Sequence, residues 1–359
     1  MRILAISIDS SLLKEGSSAL QRQKRLARLV EKYRVITLGR GERQRYGNLE
    51  IIPSNSSKSG FLFAAYRLAK EHAKDSDLVT VQDPFIPGLV GVLLKKNCGL
   101  PLEVQLHGDD VFNNYWIQER PVFNRIMNFL AAYVLRNADS VRTVSRKIRE
   151  RVVDRGVPEE KITVVPVYTD LRKFSVKRTP ERNLVLFVGR IVPQKNPFLL
   201  LRAWKIVLSK CPDARLVVVG DGFLMGRMER IVRSDEDLER SVTLAGFGDP
   251  RKFYRRAGLF VLPSFYEGWG LVVIEAMAAG IPVVMSDVGC AGEVVIDGKN
   301  GVVVPVNDLD AFADAVVRML HGKGLQDKYG REGRMAVRKL LSEKETFRLY
   351  MKSWKKALK

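Results

Sequence analysis

The chain has 359 residues, 46% of them hydrophobic, and its 60 Lys and Arg against 40 Asp and Glu leave a formal charge of +20. That length exceeds one compact core and predicts two domains. No apolar run approaches the roughly 18 to 20 residues that span a bilayer, and the opening Met1–Ile6 is too short, and too soon broken by Asp9, for a secretory signal. Three well-separated cysteines, Cys98, Cys211 and Cys290, argue against a disulfide framework, so a cytoplasmic protein is expected. The charge is spread over both halves. It favours polyanionic partners: phosphorylated small molecules, anionic lipid or nucleic acid.

In chain order, short β-rich runs alternate with amphipathic stretches, which predicts βαβ units and parallel sheets. Strands are expected over 3–8, 35–38, 78–81, 102–107, 140–144 and 162–166, with helices over 18–33, 62–74, 121–136 and 146–155. Residues 168–182 are polar, contain Pro180 and lack a strong period, so the linker is placed there. The rhythm resumes with strands over 184–188, 215–219, 242–245, 259–262, 282–286 and 301–304, and with helices near 197–210, 251–256, 271–279 and 309–320. A basic amphipathic helix closes the chain over 343–359, with Phe347, Tyr350 and Trp354 on one side. The expected domains are 1–174 and 175–342. In parallel α/β sheets ligands bind beyond the carboxyl ends of the strands, so the residues just after strands matter most.

The densest signal is Pro263-Ser264-Phe265-Tyr266-Glu267-Gly268-Trp269-Gly270-Leu271, a strand end and glycine loop that open the helix carrying Glu275. Amides of Gly268, Trp269, Gly270 and Leu271 at a helix N-terminus suit a phosphate. Glu275, an acceptor when ionised, suits a diol such as a ribose. The second signal is Gly189-Arg190 followed by Lys195, again after a strand. Departure of a nucleoside diphosphate builds negative charge that a fork-shaped Arg190 and a point-charged Lys195 are suited to absorb. Acid pairs at Asp75/Asp77, Asp235/Asp237 and Asp308/Asp310 read as caps and loop residues, no His/Cys group has zinc-ligand spacing, and no metal is expected.

With these motifs in place, the chain resembles a retaining glycosyltransferase of family 4. That resemblance implies the GT-B fold, two Rossmann-like domains whose parallel sheets face a central cleft. Glu267 and Glu275 match the family's E-x7-E motif, and Gly189, Arg190 and Lys195 match its phosphate loop. Val219-Gly220-Asp221-Gly222, Val288-Gly289, Asn300-Gly301 and Asp308 match further landmarks. The resemblance assigns Glu275 to the ribose, Glu267 to sugar hydroxyls, and Phe247 and Gly248 to the loop holding the base. It assigns Gly16, in Glu15-Gly16-Ser17-Ser18, to the donor phosphate, and His107, at a strand end, to the donor sugar. Asp109 is expected to support His107 on the acceptor side, and Phe112, Tyr115 and Trp116, in a looser segment, are expected to form an acceptor or membrane lip. Residues 164–170 depart from the family's usual hinge pattern. The closing helix is expected to pack back on the first, acceptor-side domain, and the second domain to bind the nucleotide-sugar.

The implied activity is metal-independent transfer of a hexose from a UDP-, GDP- or ADP-sugar, without a separate cofactor, to an acceptor hydroxyl. A glycolipid, polyprenyl-linked saccharide or polysaccharide precursor is the expected acceptor, as in cell-envelope polysaccharide biosynthesis. A GT-B epimerase or soluble-acceptor synthase is the nearer alternative. A basic nucleic-acid-binding protein is the distant one, since no recognition module is present. Lys24, Arg25, Arg28 and Lys32 share one face of the first long helix and suggest peripheral docking to an anionic membrane leaflet. Phe123, Ile126, Met127, Leu130 and Val134 have helical spacing and are expected in the core.

Overall fold

The computed structural model describes all residues, Met1–Lys359. Two compact units result: Met1–Pro166 with Leu341–Lys359, and Val167–Leu340. The second unit thus starts eight residues before the boundary expected at 174/175. A short 3-10 helix, Leu171–Phe174, packs against that unit's own helix at Leu271–Ala279.

The first domain runs β1 (Arg2–Ser7), α1 (Ser18–Ala27), β2 (Lys32–Thr37), β3 (Gln44–Tyr46), β4 (Leu49–Pro53), α2 (Phe61–Ala73), β5 (Leu78–Val81), α3 (Ile86–Cys98), β6 (Leu102–Leu106), α4 (Asn114–Glu119), α5 (Pro121–Asn137), β7 (Ser140–Thr143), α6 (Arg146–Val153) and β8 (Ile162–Val164). Its eight strands are ordered β3-β4-β2-β1-β5-β6-β7-β8, parallel except for β3. The central strands are buried along nearly their whole length because both faces are covered, and the polar Thr80, Glu103 and Gln105 on β5 and β6 are buried with them.

The second domain runs β9 (Glu181–Val188), α7 (Pro197–Lys210), β10 (Arg215–Val219), α8 (Met225–Arg233), α9 (Glu236–Ser241), β11 (Val242–Gly246), α10 (Arg251–Tyr254), β12 (Ala257–Leu262), α11 (Leu271–Ala279), β13 (Val283–Ser286), β14 (Val302–Val304), α12 (Leu309–His321) and α13 (Lys323–Val337). Its six parallel strands are ordered β11-β10-β9-β12-β13-β14. In both sheets the strand order reverses beside the first strand, the switch point at which open α/β sheets bind ligands.

The last helix, α14 (Glu343–Ala357), starts with a capping box between Ser342 and Glu345. It lies on the first sheet, where Trp354 is fully buried among α1, β1 and β2 side chains. Burying one such aromatic contributes about 3 kcal/mol.

Two expectations are corrected here. The expected cationic face is not one helix face: α1 ends at Ala27 and Lys32 opens β2, paired with Asp75, while Lys24 sits over the Tyr46 ring, Arg25 pairs with Glu343 and Arg28 stays exposed. Cations held this way are poorly placed to meet a membrane. In α5 the expected core pattern fails as well. Phe123 and Ile126 are more than half exposed, whereas Val134 is buried. The buried side of α5 instead carries Asn124, Asn128, Ala131 and Leu135. Each asparagine satisfies a main-chain group: Asn124 donates to Trp116 O, and Asn128 Oδ1 accepts from Phe112 N at 2.9 Å. These bonds offset the cost of burying the amides.

The acid pairs have local work. Asp75 accepts from Arg2, Lys32 and Arg34, Asp235 caps α9 and pairs with Lys205, and Asp308 caps α12.

Candidate active site

Four neighbouring strands of the second sheet, β11, β10, β9 and β12, end in loops that touch one another at their carboxyl edge. The loop after β9 starts with Gly189, whose N–H donates to Val219 O at 3.0 Å, and Ile191 N donates to Asp221 O at 2.9 Å. Gly220 then donates to Gly246 O at 2.8 Å, which joins the loops after β10 and β11. A side chain on Gly220 would collide with Gly189 O, and φ of +142° at that residue suits glycine alone. Beyond Gly246, Phe247 is 90% exposed and Gly248 is exposed too, an open perch at the expected base loop.

The loops after β9 and β12 are joined more tightly. Phe265 N donates to Gln194 O at 2.8 Å, and Gln194 Nε2 donates to Tyr266 O at 3.0 Å. Lys195 forms an ion pair with Glu267, which also accepts from Ser264 Oγ at 2.7 Å. Both members of that pair are largely buried, so the lysine is held in place rather than sweeping through solvent. Arg190 is exposed, with its guanidinium 3.4 Å from Gln194 Oε1. Arg190, Lys195 and Glu267 are therefore gathered around one glutamine, Gln194, which inspection of the sequence missed. Gln194 lay inside the motif but carried no charge to mark it.

The β12 loop reaches α11 through Gly270, at φ +87°, and no side chain caps that helix. Val273 N and Ile274 N turn back to Gly270 O, which leaves the amides of Leu271 and Val272 for an anion. Gly268 and Trp269 are buried in the loop, and Trp269 is 4% exposed, so these residues offer main chain rather than side chain. Gly289, at φ +56°, lets the loop after β13 pack beneath: a Cβ there would lie 2.8 Å from Trp269 O and 2.9 Å from Glu267 Cβ. One turn into α11, Glu275 accepts from the Tyr254 hydroxyl at 2.9 Å. Burial raises the Glu275 pKa, and the Tyr254 bond opposes that rise. Tyr254 is the second residue that escaped notice. It stands 21 residues away, in a helix with no motif.

In the first domain, Gly16 takes φ +79° just before Ser17, which caps α1. His107 follows β6. Its Nε2 lies 2.8 Å from Gln105 Oε1, Gln105 Nε2 donates to Thr80 Oγ1 at 2.6 Å, and Thr80 donates to Glu103 Oε2 at 2.6 Å. Glu103 also accepts from Trp354 Nε1 at 3.0 Å and from Ser353 Oγ, both on α14. Donor directions propagate along this buried chain. Because the Gln105 amide nitrogen faces Thr80, its oxygen faces the imidazole, so His107 Nε2 carries the proton and Nδ1 is left as an acceptor. Burial, with help from Arg142 and Arg22, holds the His107 pKa well below its usual value, so the ring is neutral.

Asp109 does not support His107. It is 3% exposed and bound by Arg151 and by Asn113 Nδ2 at 3.3 Å. Burial pushes its pKa up to about 7 against the pull of Arg151. Such a carboxyl braces the loop after β6 and has little surface for an acceptor. Tyr115 and Trp116 lie in α4, half-buried, and Trp116 stacks on Phe85 with ring centroids 5.5 Å apart.

Known proteins resemble this chain over both domains. Residues 169–336 match the family model for glycosyl transferases group 1, and residues 18–173 match that for glycosyltransferase family 4. An uncharacterized glycosyltransferase of Methanocaldococcus jannaschii is 27% identical over 352 residues, covering 96% of this chain and 95% of the relative. An Escherichia coli UDP-Gal:alpha-D-GlcNAc-diphosphoundecaprenol alpha-1,3-galactosyltransferase is 33% identical over 180 residues, 46% of each chain. The crystal structure of Anabaena HepE in complex with UDP and glucose superposes with a TM-score of 0.76 at 19% identity, covering 98% of this chain and 99% of that one. That likeness carries the fold. No helix here is long and apolar enough to cross a membrane. Two parallel-sheet domains of GT-B type, each matched in turn by its own model, place the chain among the group 1, family 4 glycosyltransferases.

Proposed function

We propose that this glycosyltransferase takes a hexose from a nucleoside-diphosphate-sugar, without a divalent metal, and passes it with retention of anomeric configuration to a hydroxyl of a lipid-linked saccharide. The observation that carries the reading is the convergence of the Gly189–Asn196 and Ser264–Gly270 loops on Gln194, with Lys195 paired to Glu267. In this reading the α11 amides and Arg190 hold the diphosphate, and Lys195 shares its charge between Glu267 and the β-phosphate. Glu275, oriented by Tyr254, accepts from the ribose hydroxyls, and the base rests at Phe247 and Gly248. Glu267 takes the sugar hydroxyls, Gly16 approaches the phosphate, and the bare Nδ1 of His107 accepts from a sugar hydroxyl.

The acceptor oxygen bonds to the anomeric carbon on the face from which the phosphate leaves. The bond from that carbon to the phosphate oxygen breaks, and the acceptor's proton passes to the departing phosphate. Arg190 and Lys195 stabilise the charge that develops there, and the diphosphate carries it away. A lipid-linked acceptor is supported by the chemistry named for the E. coli relative, and the nucleotide donor by the UDP in the HepE structure.

The test is a thermal-shift panel of UDP-, GDP- and ADP-sugars, followed by transfer assays with polyprenyl-linked and soluble acceptors in excess chelator. One donor family raising the melting temperature, with chelator-resistant transfer and a retained anomer, is the expected result. Transfer that stops on chelation and returns with a divalent metal overturns the metal-free reading. An inverted product overturns retention.

A further inference from the structure

Helix α5 wears its polarity inside out. Asn124, Asn128, Ala131 and Leu135 repeat along the side bedded on the domain. Val122, Ile126, Phe129 and Tyr133 repeat with the same spacing on the opposite side, and Phe129 is 80% and Val122 74% exposed. Helical positions at these intervals form one continuous stripe. Arg125 and Arg136 fall on the same outward side, Arg120 is exposed at its start, and residues 121–137 contain no Asp or Glu. Lys96, from α3 alongside, bonds the Tyr133 hydroxyl at 2.8 Å. A contiguous exposed patch of this kind is far from the scattered apolar residues of an ordinary surface.

We propose that α5 lies in the plane of an anionic bilayer, with Val122, Ile126 and Phe129 among the acyl chains and Arg125 and Arg136 at the phosphates. An apolar stripe flanked by cations and free of acids is the chemistry of an interfacial helix. The convex ridge of one helix offers no groove for a peptide, and a symmetric second copy would set Arg125 and Arg136 against the same cations. The surface also differs from the α1 arc. The crossovers from β4 through β7 run along the sheet opposite to that from β1 to β2. Right-handed connections therefore put α2, α3 and α5 on one face and α1 on the other. The bedded side of α5 grips Phe112 N and Trp116 O, so docking holds the segment after His107 close to the headgroups. That purpose rests on the lipid-linked acceptor proposed above; the docking itself does not.

The experiment is flotation of the full chain with vesicles of phosphatidylglycerol and phosphatidylethanolamine, and with vesicles of phosphatidylcholine alone. Wild type floats with the anionic vesicles and stays behind with the zwitterionic ones. Ile126→Ser with Phe129→Ser lowers anionic-vesicle binding at least about tenfold, as losing the burial of one large apolar side chain does. Arg125→Glu with Arg136→Glu lowers it and flattens its salt dependence. Both double variants keep the wild-type melting temperature and donor-induced thermal shift, which separates lost docking from lost folding. Vesicle binding that survives both variants overturns the proposal. So does wild type that ignores anionic vesicles, or a dimer by light scattering that the serine variant dissolves. If transfer to a lipid-linked acceptor fails while flotation behaves as expected, only the transfer reading falls.

Discussion

The two domains hold their own candidate residues with different materials. The second frames its cations, Arg190 and the Glu267-paired Lys195, with main chain: glycines where a Cβ has no room, amides at an uncapped helix, and four neighbouring loops laced by N–H to carbonyl bonds. The first uses side chains: an imidazole whose proton is placed by Gln105, Thr80 and Glu103, and ultimately by α14. Main-chain sites tolerate exchange of most side chains but no added bulk at a few glycines. Side-chain relays tolerate bulk poorly and fail by degrees as single donors are lost.

That contrast orders the expected effects. The largest belongs to the cations: Arg190→Ala or Lys195→Ala should cut turnover on the order of 10²–10³-fold, read as kcat under saturating donor. Next comes Gly220→Ala, which forces a Cβ against Gly189 O at a φ suited to glycine. It should cost on the order of 2–4 kcal/mol in chemical denaturation and abolish the donor-induced thermal shift. Tyr254→Phe removes the bond to Glu275 and leaves a half-buried carboxyl short of a donor. Roughly a tenfold loss in nucleotide affinity by calorimetry is expected. A milder effect on turnover is expected in the relay: Trp354→Phe keeps an aromatic ring but removes the indole N–H that donates to Glu103 and leaves a small cavity, lowering stability by about 2 kcal/mol. Equal losses of kcat from Trp354→Phe and Lys195→Ala would break the contrast.

The smallest effect is on pH. The folded pKa of His107 is lowered, so the unfolded chain binds its proton more readily; the stability this residue contributes is present above about 6.5 and is lost as pH falls below that value. Asp83 and Asp109, both raised to about 7 by burial, act in the opposite sense below that pH. The useful measurement is therefore the difference in melting temperature between wild type and His107→Gln from pH 7.5 to 5.5. Wild type should lose ground relative to the variant as the pH drops.

Much of this was legible in the residues. Alternating strands and helices, glycines just after strand ends, and a carboxylate one turn into a helix are local patterns, and they led to the loops after β9 and β12. What escaped is non-local or contrary to pattern. Strand β3 is a short edge element in a polar stretch, β4 is a buried run of only five residues ending at Pro53, and α3, with Pro87, Gly88 and Gly91, lacks a clear helical period. Here Gly88 and Gly91 let it approach Val134 and Leu102 too closely for any side chain. The α5 core was misread because apolar spacing shows that a stripe exists, not which way it faces. Two asparagines with main-chain partners decided the direction. Likewise Asp109 stands two residues from His107, yet its charge answers to Arg151 across the loop.

The account depends above all on cations and helix amides closing on one diphosphate. Calorimetric titration of the matching nucleoside diphosphate, and of its nucleoside, into wild type and Arg190→Ala isolates that contact. The account predicts that the variant binds the diphosphate at least about tenfold more weakly, as loss of a charge-assisted hydrogen bond implies, and binds the nucleoside as wild type does. Undiminished diphosphate affinity in the variant would contradict it.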